Sequence, residues 1–420
     1  MTFEAVIRSA WLREAVRISP LGPFMDGFVE GVAGIGYTAQ SMYGLVLGAT
    51  QFARHLASIG VTDVTALRDY HVEAFIATLP RYRCRQAYWM RQVAGTRAAH
   101  HVIQYLRRIG ATPPEPRPVL PYSWVLDEWT ASLGQHRGLA PASVDVYRRG
   151  VEPFLQALGA DATADHLVAL TAERVHAYVE RYAAPLARAT RKNLVIVMRS
   201  FLRFAFSRGY LAHDLENVVP RVPCFSQDRL PRGPKWADVA KLLTTVDRST
   251  TQGRRDFAML LILITYGVRR SQLVDLRLDD LDWRASTLRM PASKRGRRVV
   301  VPITAAVGDA LVAYLRDARP TTVSRSIFLS MDPPFRPLAA ASVYNVVSEA
   351  FRRAKIPTPH RGSHAIRHAW ATRALAQGQR LKTIADLLGH RSLESTRIYA
   401  KVDVTQLRTV ALPWPVAEVR

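Results

Sequence analysis

The chain has 420 residues, enough for two to three domains that each bury a core of their own. Lysine and arginine number 58 against 34 acidic residues, a net charge of +24 with an isoelectric point near 10.7. Only Lys192, Lys235, Lys241, Lys294, Lys355, Lys382 and Lys401 are lysines. The excess is therefore nearly all arginine, whose planar fork suits phosphate. Spread over the whole chain, it points to nucleic acid; a base-composition bias, which would also raise alanine, is the competing reading. The longest apolar run, Ala258 to Ile264, is too short to span a bilayer and is flanked by Arg255, Asp256 and Arg269. Glu4, Arg8, Arg13 and Glu14 interrupt the N-terminal apolar residues, so no secretory signal is read there. Cys84 and Cys224 have no local partners, which fits a reducing compartment without a disulfide framework. A cytoplasmic protein is expected, at the bacterial nucleoid if its partner is DNA.

Two proline-rich stretches divide the chain. The first runs from Ala111 to Pro121 with prolines at 113, 114, 116, 118 and 121, a composition that forbids a helix and favours an extended spacer. The second runs from Val219 to Pro234. They leave segments 1–112, 119–218 and 235–420. The first two resemble one another. Ser41, Phe52 and Leu56 fall on Ser143, Phe154 and Leu158 at an offset of 102. Leu67, Val72 and Phe75 fall on Leu170, Val175 and Tyr178 at an offset of 103, and Val102, Tyr105 and Gly110 on Phe201, Phe204 and Gly209. Both have helical apolar spacing, so each reads as a bundle of about four helices and together as a duplicated module; shared helical spacing alone is the alternative. Arg81 to Arg85, with Tyr88, Trp89 and Arg91, mixes cations with aromatics, as a surface tracking a DNA backbone would, or as a packing helix with a solvated face.

The third segment is mixed. Val239, Leu242, Leu243 and Val246 share a helical face, and a second helix is expected from about Arg255 to Tyr266. Thr287–Met290 and Val299–Ile303 read as strands around a turn containing Gly296. Helices are expected near 305–317, 340–354, 364–377, 381–388 and 392–400. The fold class is thus mainly α: two helical bundles, then an α+β domain with a small sheet.

Five places in this segment carry candidate chemistry. Arg269 follows the glycine of a helix–turn–helix joint. Lys294 lies in the turn from Ser293 to Arg298. His364 and Arg367 are three apart on one helical face. Gly389 is placed to end a helix in a left-handed cap and aim His390 from it. Tyr399 follows in Ser395-Thr-Arg-Ile-Tyr. Two arginines can clamp the non-bridging oxygens of one phosphodiester and stabilise the extra charge of its pentacoordinate state. A tyrosine hydroxyl beside Arg and His can lose its proton as it attacks. A lysine on a flexible stem can protonate the departing 5′ oxygen. Neither an acidic residue nor a metal is required. Singly, each has an ordinary reading: a solvated arginine, a turn lysine, a capping histidine, a core tyrosine. His360, His364 and His368 are spaced as on a metal-binding helix, but Pro359 and Gly362 should hold His360 outside the helix and no Cys or carboxylate completes the set.

In this order and spacing, Arg269, Lys294, His364-x-x-Arg367, Leu-Gly-His390 and Tyr399 resemble the catalytic domain of the tyrosine recombinases, the phage integrase family. The likeness spans about 255 to 405, and LLGHRSLESTRIYAKV, with His390 and Tyr399 nine residues apart, is its most specific part. The resemblance implies that these six residues are catalytic and that a covalent 3′-phosphotyrosyl intermediate forms. It also implies a C-shaped clamp around duplex DNA, a homo- or hetero-tetramer on that DNA, and no cofactor. The segment opening GLAPASVDVYRRGVEPFLQAL resembles the family's helical, SAM-like core-binding domain. Gln272 stands where the family usually has Glu, and Trp370 where Phe is more usual. The extra N-terminal module, absent from the shorter chromosome-dimer recombinases, suggests an integrase or transposase of a mobile element. A type IB topoisomerase, a telomere resolvase and an inactive DNA-binding relic remain the rivals.

Overall fold

Among the described residues, apolar side chains close three large cores, one within residues 3–106, a second within 122–219 and a third within 239–369, with a small fourth cluster within 371–388. The computed structural model describes residues 2–79, 86–115, 120–159, 162–223, 233–292 and 298–389, with the side chains of all but 86–94. By contacts, Met1–Glu115 groups with Leu230–Arg420, and Pro116–Arg229 is the other unit. The basic stretch around Arg81 to Arg91 falls outside the described side chains.

The first core is built by α1 (Ala10–Arg17), α2 (Met25–Ala33), α3 (Ala39–Ser58), α4 (Asp69–Thr78) and α5 (Gln86–Arg108). Helix α3 starts where the Thr38 hydroxyl accepts from the Ser41 N–H, satisfying one of the orphan donors of a helix start. It packs along α5, and fully buried Phe52 meets Phe75 of α4 with ring centroids 5.2 Å apart. The bundle has more helices than the four its spacing predicts. Phe3, Val16, Met25 and Phe28 are buried, but Pro20, Gly22 and Pro23 break the run into pieces too short to show a period.

The second unit contains α6 (Ser123–Gln135), α7 (Pro141–Ala157), α8 (Ala172–Ala183) and α9 (Arg188–Ser207). Trp129, Phe154 and Phe201 fill its centre, with Phe154 edge-on to Tyr178 at 5.0 Å.

In the third core, a turn of helix at Trp236–Lys241 leads to α10 (Thr251–Tyr266) and α11 (Arg270–Val274). Helix α10 begins four residues before Arg255. The Thr250 hydroxyl accepts from the Gly253 N–H at 3.0 Å, and a Cβ on Gly253 would lie 1.8 Å from the Asp247 carbonyl, so only glycine fits that first turn. An antiparallel sheet in the order β1-β2-β3 follows, with β1 at Leu281–Asp282, β2 at Thr287–Met290 and β3 at Val299–Pro302. Leu288 pairs with Val301 and both face the core, giving the alternation expected of a half-buried sheet. Strand β1 has two residues and no alternation to announce it. The domain closes with α12 (Ala305–Asp317), α13 (Ala340–Arg353), α14 (Ser363–Ala376) and α15 (Leu381–Leu387). Central α10 packs on α12 and α14, and its Leu260, Ile262 and Leu263 are buried. The helix expected near 392–400 falls outside the described residues. No helix among the described residues is long and apolar enough to cross a membrane.

Candidate active site

The site is assembled from backbone turns. Helix α10 ends at Gly267, which takes the left-handed conformation at φ +61° while its N–H donates to the Leu263 carbonyl. The indole of Trp370, on α14, lies over this glycine: a Cβ there would come within 2.9 Å of the ring, and Trp370 Nε1 donates to the Thr265 carbonyl at 2.9 Å. A β-branched residue at 267 would meet both the left-handed penalty, about 1–2 kcal/mol, and the ring. Gly267→Val is expected to lower the midpoint of thermal unfolding by several degrees; an unchanged midpoint would contradict the close approach.

Two residues past Gly267, Arg269 opens α11. Its N–H donates to Oε1 of buried Gln272 at 3.1 Å, while Nε2 of Gln272 donates to the Pro291 carbonyl at 2.8 Å. Gln272 therefore ties the arginine turn to the segment leaving β2. A carboxylate in its place could accept the first bond but could not donate the second.

Arg367, buried at 3% exposure on α14, donates from Nη1 to the Gly267 carbonyl at 3.0 Å and from Nη2 to the Leu388 carbonyl at 2.7 Å. Arg269 Nη1 donates to that same Leu388 carbonyl at 3.0 Å and to Gly389 at 3.4 Å. Two guanidinium groups thus share one acceptor and lie side by side. The acceptor ends α15, where Gly389 at φ +59° makes the left-handed cap its position in the sequence predicts and the carbonyl end of the helix favours cations.

His364 lies one helical turn before Arg367. Its ring is exposed on one side and stands 6.0 Å from that of His368; His360 precedes the helix, as its neighbours Pro359 and Gly362 predict. Burial of the inner face, then Arg367, Arg269 and Arg270, hold the His364 pKa below the ordinary value of 6.5. Burial, His364, Arg367 and His360 act the same way on His368. Both resist protonation in the folded chain, so the unfolded chain takes up protons first as pH falls. Their contribution to stability is present above pH 6.5 and is lost as pH falls through the lowered pKa values. Unfolding midpoints measured from pH 8 to pH 5 should drop below pH 6.5, less steeply in His368→Gln; equal slopes would refute this assignment.

The structure brings Arg269, His364 and Arg367 together. Lys294, His390 and Tyr399 lie outside the described residues. Among the described residues, no three His, Cys, Asp or Glu side chains converge as metal ligands would. Sequence reasoning noted Gln272 and Trp370 as departures from a pattern. It missed that one is a two-sided strut and the other the roof of the Gly267 turn; the signal was a polar side chain and an indole next to candidate residues.

Comparison with known proteins bears on the family of the chain. Residues 236–406 match the phage integrase family and residues 126–209 the phage integrase N-terminal SAM-like domain. The chain is 34% identical over 404 residues to the putative integrase/recombinase y4rA of Sinorhizobium fredii, covering 94% of this chain and 95% of that protein. It is 28% identical to the tyrosine recombinase XerC of Oceanobacillus iheyensis, covering 67% of this chain and 93% of that one. The crystal structure of the XerH recombinase bound to its palindromic difH substrate superposes with a TM-score of 0.53 at 16% identity, over 88% of this chain and 95% of that one. With a catalytic-domain match, a SAM-like match and a relative shared over nearly its full length, the chain belongs to the phage integrase family of tyrosine recombinases, enzymes that cleave and rejoin DNA.

Proposed function

We propose that this chain is a site-specific recombinase that integrates or excises a mobile element through a covalent 3′-phosphotyrosyl intermediate on Tyr399. The observation that carries the reading is the convergence of Arg269 and Arg367 on the Leu388 carbonyl, immediately before Gly389 and His390. Arginine has five N–H donors, so one group serves both the backbone tie and a phosphate. Held this way, the pair is preorganised for the non-bridging oxygens of a phosphodiester and needs little rearrangement as charge builds. His364 and His390 assist at the same phosphate, Lys294 protonates the leaving 5′ oxygen, and Tyr399 attacks phosphorus. Bond breaking at the 5′ oxygen balances bond making at the tyrosine, so the phosphodiester energy is kept for rejoining. The mobile-element role is supported by where the relatives match: the y4rA protein aligns along almost this whole chain, whereas XerC leaves about a third of it uncovered. Duplex DNA is the partner, bound by several copies of the chain.

A nicked half-site duplex tests this, because strand loss traps the adduct. A denaturant-resistant complex is expected in the presence of EDTA, with affinity falling steeply as salt rises; displacing counterions from 6–10 phosphates would cost about 10³–10⁵ between 50 and 200 mM salt. Loss of all cleavage in EDTA would overturn the arginine clamp. On a plasmid carrying two sites, deletion or inversion is expected; relaxation alone would favour a topoisomerase.

A further inference from the structure

Helices α5 and α9 carry the same burial at an offset of 99. Ala98, Ala99, Val102, Ile103 and Leu106 are buried in one, and Val197, Met198, Phe201, Leu202 and Ala205 in the other. The Phe52–Phe75 contact has its counterpart in Phe154–Tyr178, at residues matched by the same alignment. Gly36 and Gly138 both take positive φ just before a long helix, and Gly110 and Gly209 both do so just after one, at +77° and +75°.

What differs is one face. In the second bundle, Arg137 precedes Gly138 and donates to Ser200 Oγ at 2.9 Å. With His136, Arg203 and Arg208 it lines an open cavity of about 540 Å³. In the first bundle the residues matching Ser200 and Arg203 are His101 and Gln104, and Tyr37 follows Gly36. That face meets protein. Tyr37 donates its hydroxyl to the Pro333 carbonyl at 3.4 Å and shares a 3.1 Å hydrogen bond with His101 Nε2. Arg97 reaches Asp332 at 3.5 Å, and the Phe335 ring lies 3.4 Å from where a Cβ on Gly36 would be.

We propose that the first bundle is a second copy of the core-binding bundle in which the arginine-lined face has been rebuilt into a grip on the catalytic domain's own turn, residues 332–335. In the second bundle Arg203 chelates Glu216 of its own bundle and Arg137 ties to Ser200, so that face is turned inward on its own polar groups and open to solvent. Tyr37, His101 and Arg97 instead suit a carbonyl, a carboxylate and a ring carried by a protein loop. The Arg97–Asp332 pair of the grip is solvent-exposed. The inference rests on the pairing of the two bundles and does not depend on the recombinase reading.

Hydrogen exchange on the full chain without DNA tests it. The Ser330 N–H donates to Arg336 and the Phe335 N–H to Asp332, so the amides of 330–332, 335 and 336 report whether the turn is held, Pro333 and Pro334 having none. Tyr37→Ala and Arg97→Asp are each expected to raise exchange there several-fold while α3 amides stay protected. The reversal Arg97→Asp with Asp332→Arg is expected to restore protection, which no general loosening would do. If Tyr37→Ala disturbs α3, Tyr37→Phe removes the hydroxyl alone and should still raise exchange. Exchange at 330–336 that ignores all these changes would overturn the grip. So would protection that vanishes on dilution, which would place the contact between chains.

Discussion

Tyr399→Phe is expected to bind DNA with nearly unaltered affinity and to form no covalent complex. Phenylalanine keeps the ring and removes only the oxygen proposed to attack. DNA affinity comes chiefly from cations on phosphates, of which this chain has a large excess, so it should not register the loss of one hydroxyl. Chemistry should register it completely, since the proposed mechanism forms the phosphotyrosyl bond on Tyr399. Gel-shift titration and a denaturing gel on the same samples separate the two effects. A denaturant-resistant adduct from this variant would show that another residue is the nucleophile.

Arg367→Lys is expected to leave binding within a few fold and to slow single-turnover cleavage by about 10²–10³, the usual loss when one preorganised donor to a developing charge is removed. Charge is conserved and geometry is not. Arg367 donates from two nitrogens to two carbonyls, Gly267 and Leu388, that fix its plane. A lysine ammonium is a point charge on a flexible stem and cannot hold both while presenting a fork to phosphate. The readout is the rate of adduct formation at saturating DNA, with thermal unfolding alongside to show that the domain stays folded. A rate within threefold of the parent would remove Arg367 from the phosphate clamp.

The catalytic domain was largely legible in the sequence because its elements are long and its signals local. Helices 305–317, 340–353 and 363–376 are observed within a residue of their expected bounds, and β2 and β3 pair as their alternation predicts. Gly389 ends α15 as a glycine after an apolar helix should. What stayed hidden was short or irregular. The Thr250 cap lengthened α10, β1 is too short to alternate, and the helices before Ala39 are broken by Pro20, Gly22 and Pro23. In the site, residue identity announced Arg269, His364 and Arg367. Their ties to Leu388 and Gly267 could not be read, because a carbonyl oxygen is present at every residue and leaves no mark in the sequence. Lys294, His390 and Tyr399 remain assignments by order, spacing and resemblance.

A backbone junction of this kind is invisible to mutational scanning. Both arginines are held by the Leu388 carbonyl, an atom that no side-chain replacement deletes. Alanine at 388 would report the loss of a buried leucine and leave the bond in place. A saturation library across 381–389 would therefore score packing and helix propensity while passing over the contact that joins the two guanidinium groups. An amide-to-ester replacement of the 388–389 linkage would weaken that acceptor, at the cost of the Gly389 N–H bond to Asp386, and keep every side chain, so a position ranked as ordinary core by its substitutions would be revealed by its backbone as a junction of the site.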